Sequence, residues 1–177
     1  VQAHLFPVAH RRITAVGRGQ QRIRAVEDVR VGPRDAEAGA VLAAVAADLE
    51  YVPGAPPTLV LYPMMAPSRR AERREEPIAQ LRDAGFRVTR TIDLSHWEAR
   101  GEFLEGTGSL VLDRCHRIAY ACRSPRTTAR ALADFAERLD YRAVAFDALG
   151  PDGRPAYHTN VLMAIGERFA VVCDEAI

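Results

Sequence analysis

From Thr58 onward, short apolar runs alternate with polar turns along the chain. Thr58-Leu59-Val60-Leu61-Tyr62 is apolar and β-branched over the length of a strand, and Pro63 stops it. Glu75-Glu76-Pro77 predicts a helix start, with acids in the first turn and Pro near its first position. Ile78 and Leu81 make the apolar side of that helix and Gly85 ends it. Phe86 to Ile92 predicts a strand. Ser109-Leu110-Val111-Leu112 and Ile118-Ala119-Tyr120-Ala121 flank Asp113 to Arg117 and predict a hairpin. Ser124-Pro125-Arg126-Thr127 predicts the start of a helix whose apolar positions Leu132, Phe135, Ala136 and Leu139 fall at i, i+3, i+4 and i+7. A strand at Ala143 to Phe146 follows. A second hairpin pairs Val161 to Ile165 with Phe169 to Val172 around Gly166-Glu167-Arg168.

These elements repeat. Strand, strand, helix, strand runs from Ser109 to Phe146; its second half occurs from Leu59 to Ile92 and its first half from Val161 onward. The matching strands begin at Leu59, Ile118 and Phe169, 59 and 51 residues apart. Repeats of this period build propellers or solenoids, in which each unit buries its apolar face against the next. Residues 1–57 have another texture, rich in Ala, Val, Arg and Gly and closed by the breaker cluster Pro53-Gly54-Ala55-Pro56-Pro57. Val41, Val45 and Leu49 predict one helix there, from about Asp35 to Leu49. The expected organisation is an atypical segment at 1–57 followed by a repeat-built α/β domain at 58–177.

Composition narrows the class. At 177 residues, 48% hydrophobic and 27% charged, the chain is neither collagen-like nor wholly disordered. No run of about 18 apolar residues is available for a membrane span. Val1 to Arg12 alternates apolar and basic residues too quickly for a secretory signal. All 24 cationic side chains are Arg, and the net charge is +1. Residues 1–34 carry +5 and residues 35–177 carry −4, so a basic nucleic-acid or membrane arm rests on the first segment alone, against the plainer reading of a solvated terminus. Cys115, Cys122 and Cys173 form no paired framework, which points to a reducing, cytoplasmic setting. Cys122 and Cys173 lie within apolar runs and read as buried structural thiols.

Four places carry candidate chemistry. Phe103-Leu104-Glu105-Gly106-Thr107-Gly108 sets one carboxylate beside two glycines. It is either an ordinary acidic turn or a receptor for a planar cation held through paired hydrogen bonds. His158, in Tyr157-His158-Thr159-Asn160, is either a proton-transfer group or a histidine satisfied locally. Arg69, Arg70, Arg73 and Arg74 form a guanidinium cluster that either grips anions or, for Arg73 and Arg74 beside Glu72, Glu75 and Glu76, covers a solvated helix face. Arg126, between a Pro and a helix start, is harder to assign to solvation. His96-Trp97-Glu98 with His116 matches no standard zinc spacing, so no metal is expected.

In order along the chain, Leu61-Tyr62-Pro63-Met64-Met65-Ala66-Pro67-Ser68-Arg69-Arg70, Phe103 to Gly108, Ser124 to Thr127 and Tyr157 to Asn160 resemble the guanidine-modifying amidinotransferase superfamily. The resemblance covers about Thr58 to Ile177 and is nearest to the bacterial citrulline hydrolase and arginine deiminase-like branch. It implies the pentein fold, a five-bladed α/β propeller of ββαβ units, of which this chain would hold two to three. It also implies roles. Glu105 would hold the guanidinium or ureido nitrogens, and His158 would protonate the leaving amine. Asn160 stands where arginine deiminases carry an aspartate, and its neutral amide suits neutral citrulline. Arg126, with Arg69 or Arg70, would clamp the substrate α-carboxylate.

The family's nucleophile is a cysteine thiolate in a Gly-rich segment near its C-terminus, and Cys173 does not match it. Residues 1–57 do not resemble the family, which has a Phe-Pro-Asn-Asn-like motif before the Leu59 strand; a shifted reading frame or rearranged gene start would explain them. The expectation is therefore a truncated amidinohydrolase that needs no cofactor or metal and is inactive alone. It would bind a small citrulline- or arginine-like amino acid and neither nucleic acid nor membrane. A non-catalytic binding module on an eroded propeller is the alternative, because fold does not set function.

Overall fold

A computed structural model describes residues 56–73, 75–83, 87–150, 152–166 and 169–177, together with three strands nearer the N-terminus. Those are β1 (Arg12–Val16), β2 (Arg22–Glu27) and β3 (Ala47–Glu50). They are followed by β4 (Thr58–Leu61), α1 (Pro67–Arg70), α2 (Glu75–Asp83) and β5 (Arg90–Asp93), then by α3 (Gly106–Ser109), β6 (Val111–Asp113) and β7 (Ile118–Cys122). The chain continues through α4 (Ala129–Leu139), β8 (Arg142–Phe146), β9 (Met163–Ile165) and β10 (Phe169–Cys173).

The fold is mixed α/β, and the repeat is visible in its pairing. In the first unit β3 runs antiparallel to β4 and β4 parallel to β5, with α2 bridging the parallel pair. In the second, β6 is antiparallel to β7 and β7 parallel to β8, bridged by α4. Both units are therefore complete ββαβ motifs with the same strand order. A third sheet, in the order β1-β2-β10-β9, contains the last hairpin, with β10 antiparallel to both neighbours.

Several elements differ from the sequence expectation for identifiable reasons. Ala47–Glu50 is a strand rather than a helix end, because Leu49 pairs in register with Leu59 of β4; ladder pairing outweighs the Ala-rich helix preference. The rest of the helix expected from Asp35 lies outside the described residues, as do Gly85, Phe86, Arg74, most of the Pro53–Pro57 breaker and the Glu167-Arg168 turn. The strand expected over 86–92 is shorter and later, since β4 offers only four partners, from Thr58↔Arg90 to Leu61↔Asp93. Ser124 to Thr127 does not open α4. It closes on itself, with the Thr127 amide donating to the Ser124 carbonyl (3.0 Å), and the helix starts after an extended Thr128. Ser109 ends a short helix rather than starting β6, and residues 159–161 form a single helical turn ahead of β9.

Helix α4 shows the expected stripe, with Leu132, Phe135, Ala136 and Leu139 all buried, and Ala131, which the stripe did not include, is buried beside them. Phe135 is fully buried, with Tyr62 and Tyr141 ring centroids at 6.0 and 5.7 Å. Residues of both ββαβ units, including Val60, Ile92, Ala119 and Ala121, share this core. A second, small core holds Cys122, Ala148 and Leu162, with Phe146, Ala156 and Cys173 packed against it.

Candidate active site

The site forms where three loops meet above the large core. The first leaves β4: Tyr62, Pro63 and Met64 are buried and Met65 is exposed. Glu98 holds this loop. Its Oε1 accepts the Met64 amide (2.8 Å), Arg73 grips both its oxygens, and Arg70 Nε lies 3.2 Å from Oε2. Arg73 also donates to the Tyr62 carbonyl (2.6 Å) and is only 15% exposed. Arg73 is thus not a solvated helix cation, because Glu98, distant in sequence, faces it. Burial pushes the Glu98 carboxyl up, but the hydrogen bonds from Arg73 and Met64 and the charges of Arg73 and Arg70 hold it below its ordinary value.

The second loop carries Glu105, whose side chain has no exposure at all. It immediately precedes α3, and Gly106 takes a left-handed φ of 50° to turn the chain there. Glu105 Oε2 lies 3.0 Å from Arg126 Nη1 and 3.0 Å from His158 Nε2, while Oε1 accepts the Met65 amide (3.2 Å). Burial alone raises the Glu105 carboxyl; the His158 hydrogen bond, the Arg126 hydrogen bond and charge, and the Met65 amide outweigh it and keep the group below the usual carboxylate range. Glu105 is therefore an ionised, acceptor-only group, and the proton between it and His158 belongs on Nε2.

The third loop brings His158, which closes on Glu105 only because residue 108 has no side chain. A Cβ on Gly108 would stand 2.9 Å from His158 Nε2 and 3.0 Å from two ring carbons. Tyr157 forms an outer wall. Its half-exposed ring sits 4.7 Å from the His158 ring, and the Arg126 guanidinium lies over it at 5.5 Å. The arrangement is a buried anion that already holds one planar guanidinium, with an imidazole on the same oxygen and partly exposed Arg126 and Tyr157 on its outer side.

Of the residues singled out from sequence, Glu105, His158 and Arg126 come together. Arg69 and Arg70 do not join them at the carboxylate. Arg69 donates through Nε and Nη2 to Glu72 (2.9 and 3.2 Å), and Arg70 is held by Glu98 and by the Met64 carbonyl (3.1 Å). Glu72, and more weakly Glu105, raises the Arg69 guanidinium above its ordinary value despite partial burial. Asn160 is exposed, two residues from His158. His96 and His116 face separate carboxylates, Asp134 at 3.5 Å and Asp113 at 2.7 Å. Sequence reasoning missed Glu98 and the buried hydroxyls of Ser109, Thr127 and Thr159, since neither spacing nor composition marks them.

The three thiols sit in different surroundings. Cys115 is exposed in the β6–β7 turn and Cys173 is partly covered. Cys122 is buried, with its thiol 3.4 Å from the Ala156 carbonyl, and burial pushes that thiol up, the opposite of thiolate activation.

Comparison with curated proteins gives no match. Two crystal structures align with the chain, each at 20% identity over 68% of its length. One is the N-terminal domain of ArgZ covalently bound to a reaction intermediate, with a TM-score of 0.47 and 38% of that chain covered. The other is the same domain bound to substrate, described as an arginine dihydrolase from the ornithine-ammonia cycle in cyanobacteria, with a TM-score of 0.46 and 40% covered. The chain thus spans about two fifths of the structures it aligns with. The sequence profile of the family described as "N,N dimethylarginine dimethylhydrolase, eukaryotic" matches residues 52–177, a span that contains Glu105, Arg126 and His158. The chain belongs to that family, within the guanidine-modifying superfamily that its motifs resemble.

Proposed function

We propose that residues 58–177 carry the ligand-binding and proton-transfer half of a hydrolase that breaks a C–N bond in the guanidino or ureido group of an arginine-like amino acid, with citrulline the first choice. The ββαβ units are read as blades of a propeller-type ring. One observation carries the reading: Glu105 is completely buried and holds the guanidinium of Arg126 and the imidazole of His158 at 3.0 Å each. A carboxylate in that setting recognises planar N–H donors in pairs. Arg126 stands in for such a ligand and, as the family resemblance implies, would also pair with a substrate carboxylate. The Nε2 proton of His158 is committed to Glu105, so Nδ1 is the nitrogen left to take up a proton and then pass it to a departing amine. Asn160 would accept a neutral ureido group, and Arg69 or Arg70 would add positive charge on the carboxylate side.

No thiol among the described residues is disposed as the family's nucleophile: Cys122 is buried and its thiol is raised, Cys115 sits in a hairpin turn, and Cys173 packs in the second core. The reading therefore expects binding without turnover. Purified chain should bind citrulline in calorimetry, Arg126→Ala should weaken that binding about tenfold or more, and neither citrulline nor arginine should release ammonia. Robust ammonia release would mean that one of these thiols, or another group, is the nucleophile. A non-catalytic binding module is the second reading. It is favoured by the same positions of the thiols, and unchanged citrulline binding in Arg126→Ala would support it instead.

A further inference from the structure

Beneath Glu105, Arg126 and His158 lies a buried hydroxyl hub. Ser109 has no exposure, and its side-chain oxygen uses every hydrogen-bonding capacity it has. It accepts the Glu105 amide (2.8 Å) and the Thr127 hydroxyl (2.7 Å), and it donates to the Arg126 carbonyl (2.9 Å). Its main-chain carbonyl accepts the hydroxyl of Thr159, the residue after His158, and Thr159 Oγ1 in turn accepts the Cys122 amide (2.7 Å). Thr127 and Thr159 are buried as well. One small residue thus bonds directly to the backbone of two site residues and to the neighbour of the third. These are three separate loops, 21 and 53 positions from Glu105 for Arg126 and His158.

We propose that Ser109 is a positioning residue, whose hydroxyl and carbonyl set the register in which Arg126 and His158 converge on Glu105. The inference rests on reading those three as the ligand-binding set. An apolar residue at 109 could fill the space but could not fix three loops in angle and distance. A fully satisfied buried network does so because each displaced partner leaves an unpaired polar group away from water.

The test compares Ser109→Ala, Thr127→Val and Thr127→Ser with Thr58→Val. Thr58→Val removes a buried hydroxyl that bonds the Pro56 carbonyl (2.9 Å) at the start of β4, away from the hub. The primary readout is the titration of the Glu105 carboxyl by carbon-13 NMR, with circular dichroism to check the fold. Ser109→Ala and Thr127→Val should move that titration to higher pH, because His158 and Arg126 no longer sit where they stabilise the anion. Thr127→Ser should restore it and Thr58→Val should leave it in place. Citrulline binding should weaken about tenfold or more in the first two variants, as misplacement of binding groups predicts. If Ser109→Ala does not fold, Thr127→Val against Thr127→Ser decides. An unmoved titration in Thr127→Val, or an equal shift in Thr58→Val, overturns the proposal. Neither result needs a ligand; a shifted titration in a protein that binds no guanidino or ureido compound would uphold the positioning role and sink only the functional reading.

Discussion

At the scale of single residues, the site depends on what is absent as much as on what is present. Glu105 and His158 meet because Gly108 leaves room for the imidazole, and an added methyl would press on three of its ring atoms at about 3 Å. Gly108→Ala should therefore push the ring off Glu105 and weaken citrulline binding about tenfold or more. It should also move the Glu105 titration upward while leaving global stability within about 1 kcal/mol. Binding and titration equal to wild type would show that the ring has another seat. Glu105, Arg126 and His158 could be picked from the sequence because motif order and residue chemistry mark them. Glu98 could not: it sits in a polar stretch next to Trp97, and its role follows from Arg73, Arg70 and the Met64 amide arriving from a different loop.

At the scale of elements, the local pattern was most legible where burial and period agree. The stripe of α4 predicted four of its five buried residues and missed only Ala131, since an amphipathic helix of that length has one way to bury Leu132, Phe135 and Leu139. Phe135→Ala removes a fully buried ring between Tyr62 and Tyr141 and should cost about 3–5 kcal/mol in urea unfolding; a loss below about 1 kcal/mol would mean that the two tyrosines collapse into the space. Trp97 anchors the preceding loop to the same helix by donating to Asp134 (2.7 Å). Strand limits were less legible. Ala47–Glu50 reads as helix in isolation and becomes a strand because β4 lies beside it, and β5 is clipped to the four residues that β4 can pair. Pairing partners far along the chain decide such limits, so no local window holds them.

At the scale of the molecule, three carboxyls among the described residues are held below their ordinary range: Glu105, Glu98 and Asp134, the last by Arg138, Trp97 and His96 against the opposing effect of burial. Carboxylates depressed in the folded state stabilise it above their unfolded values of about 4, and the contribution is lost as pH falls through the folded values. The melting temperature should stay nearly level from about pH 7 to 5 and fall steadily below about pH 4.5. Glu105→Gln should make that acid decline shallower. A melting curve unchanged down to about pH 3 would mean that these pairs contribute little.

Sequence alone determined the family, the repeating strand-strand-helix-strand unit, the main buried stripe of α4 and a set of six candidate residues that includes Glu105, Arg126 and His158. All of these rest on local residue order, which survives without knowledge of distant neighbours. Tertiary structure decided the rest. It set Arg69 on Glu72 and Arg70 on Glu98, made Ala47–Glu50 a strand, and put Ser109 beneath three loops. Each of those outcomes depends on which buried charge or open hydrogen-bonding group lies nearest in space, and that follows from packing, which no stretch of sequence specifies by itself.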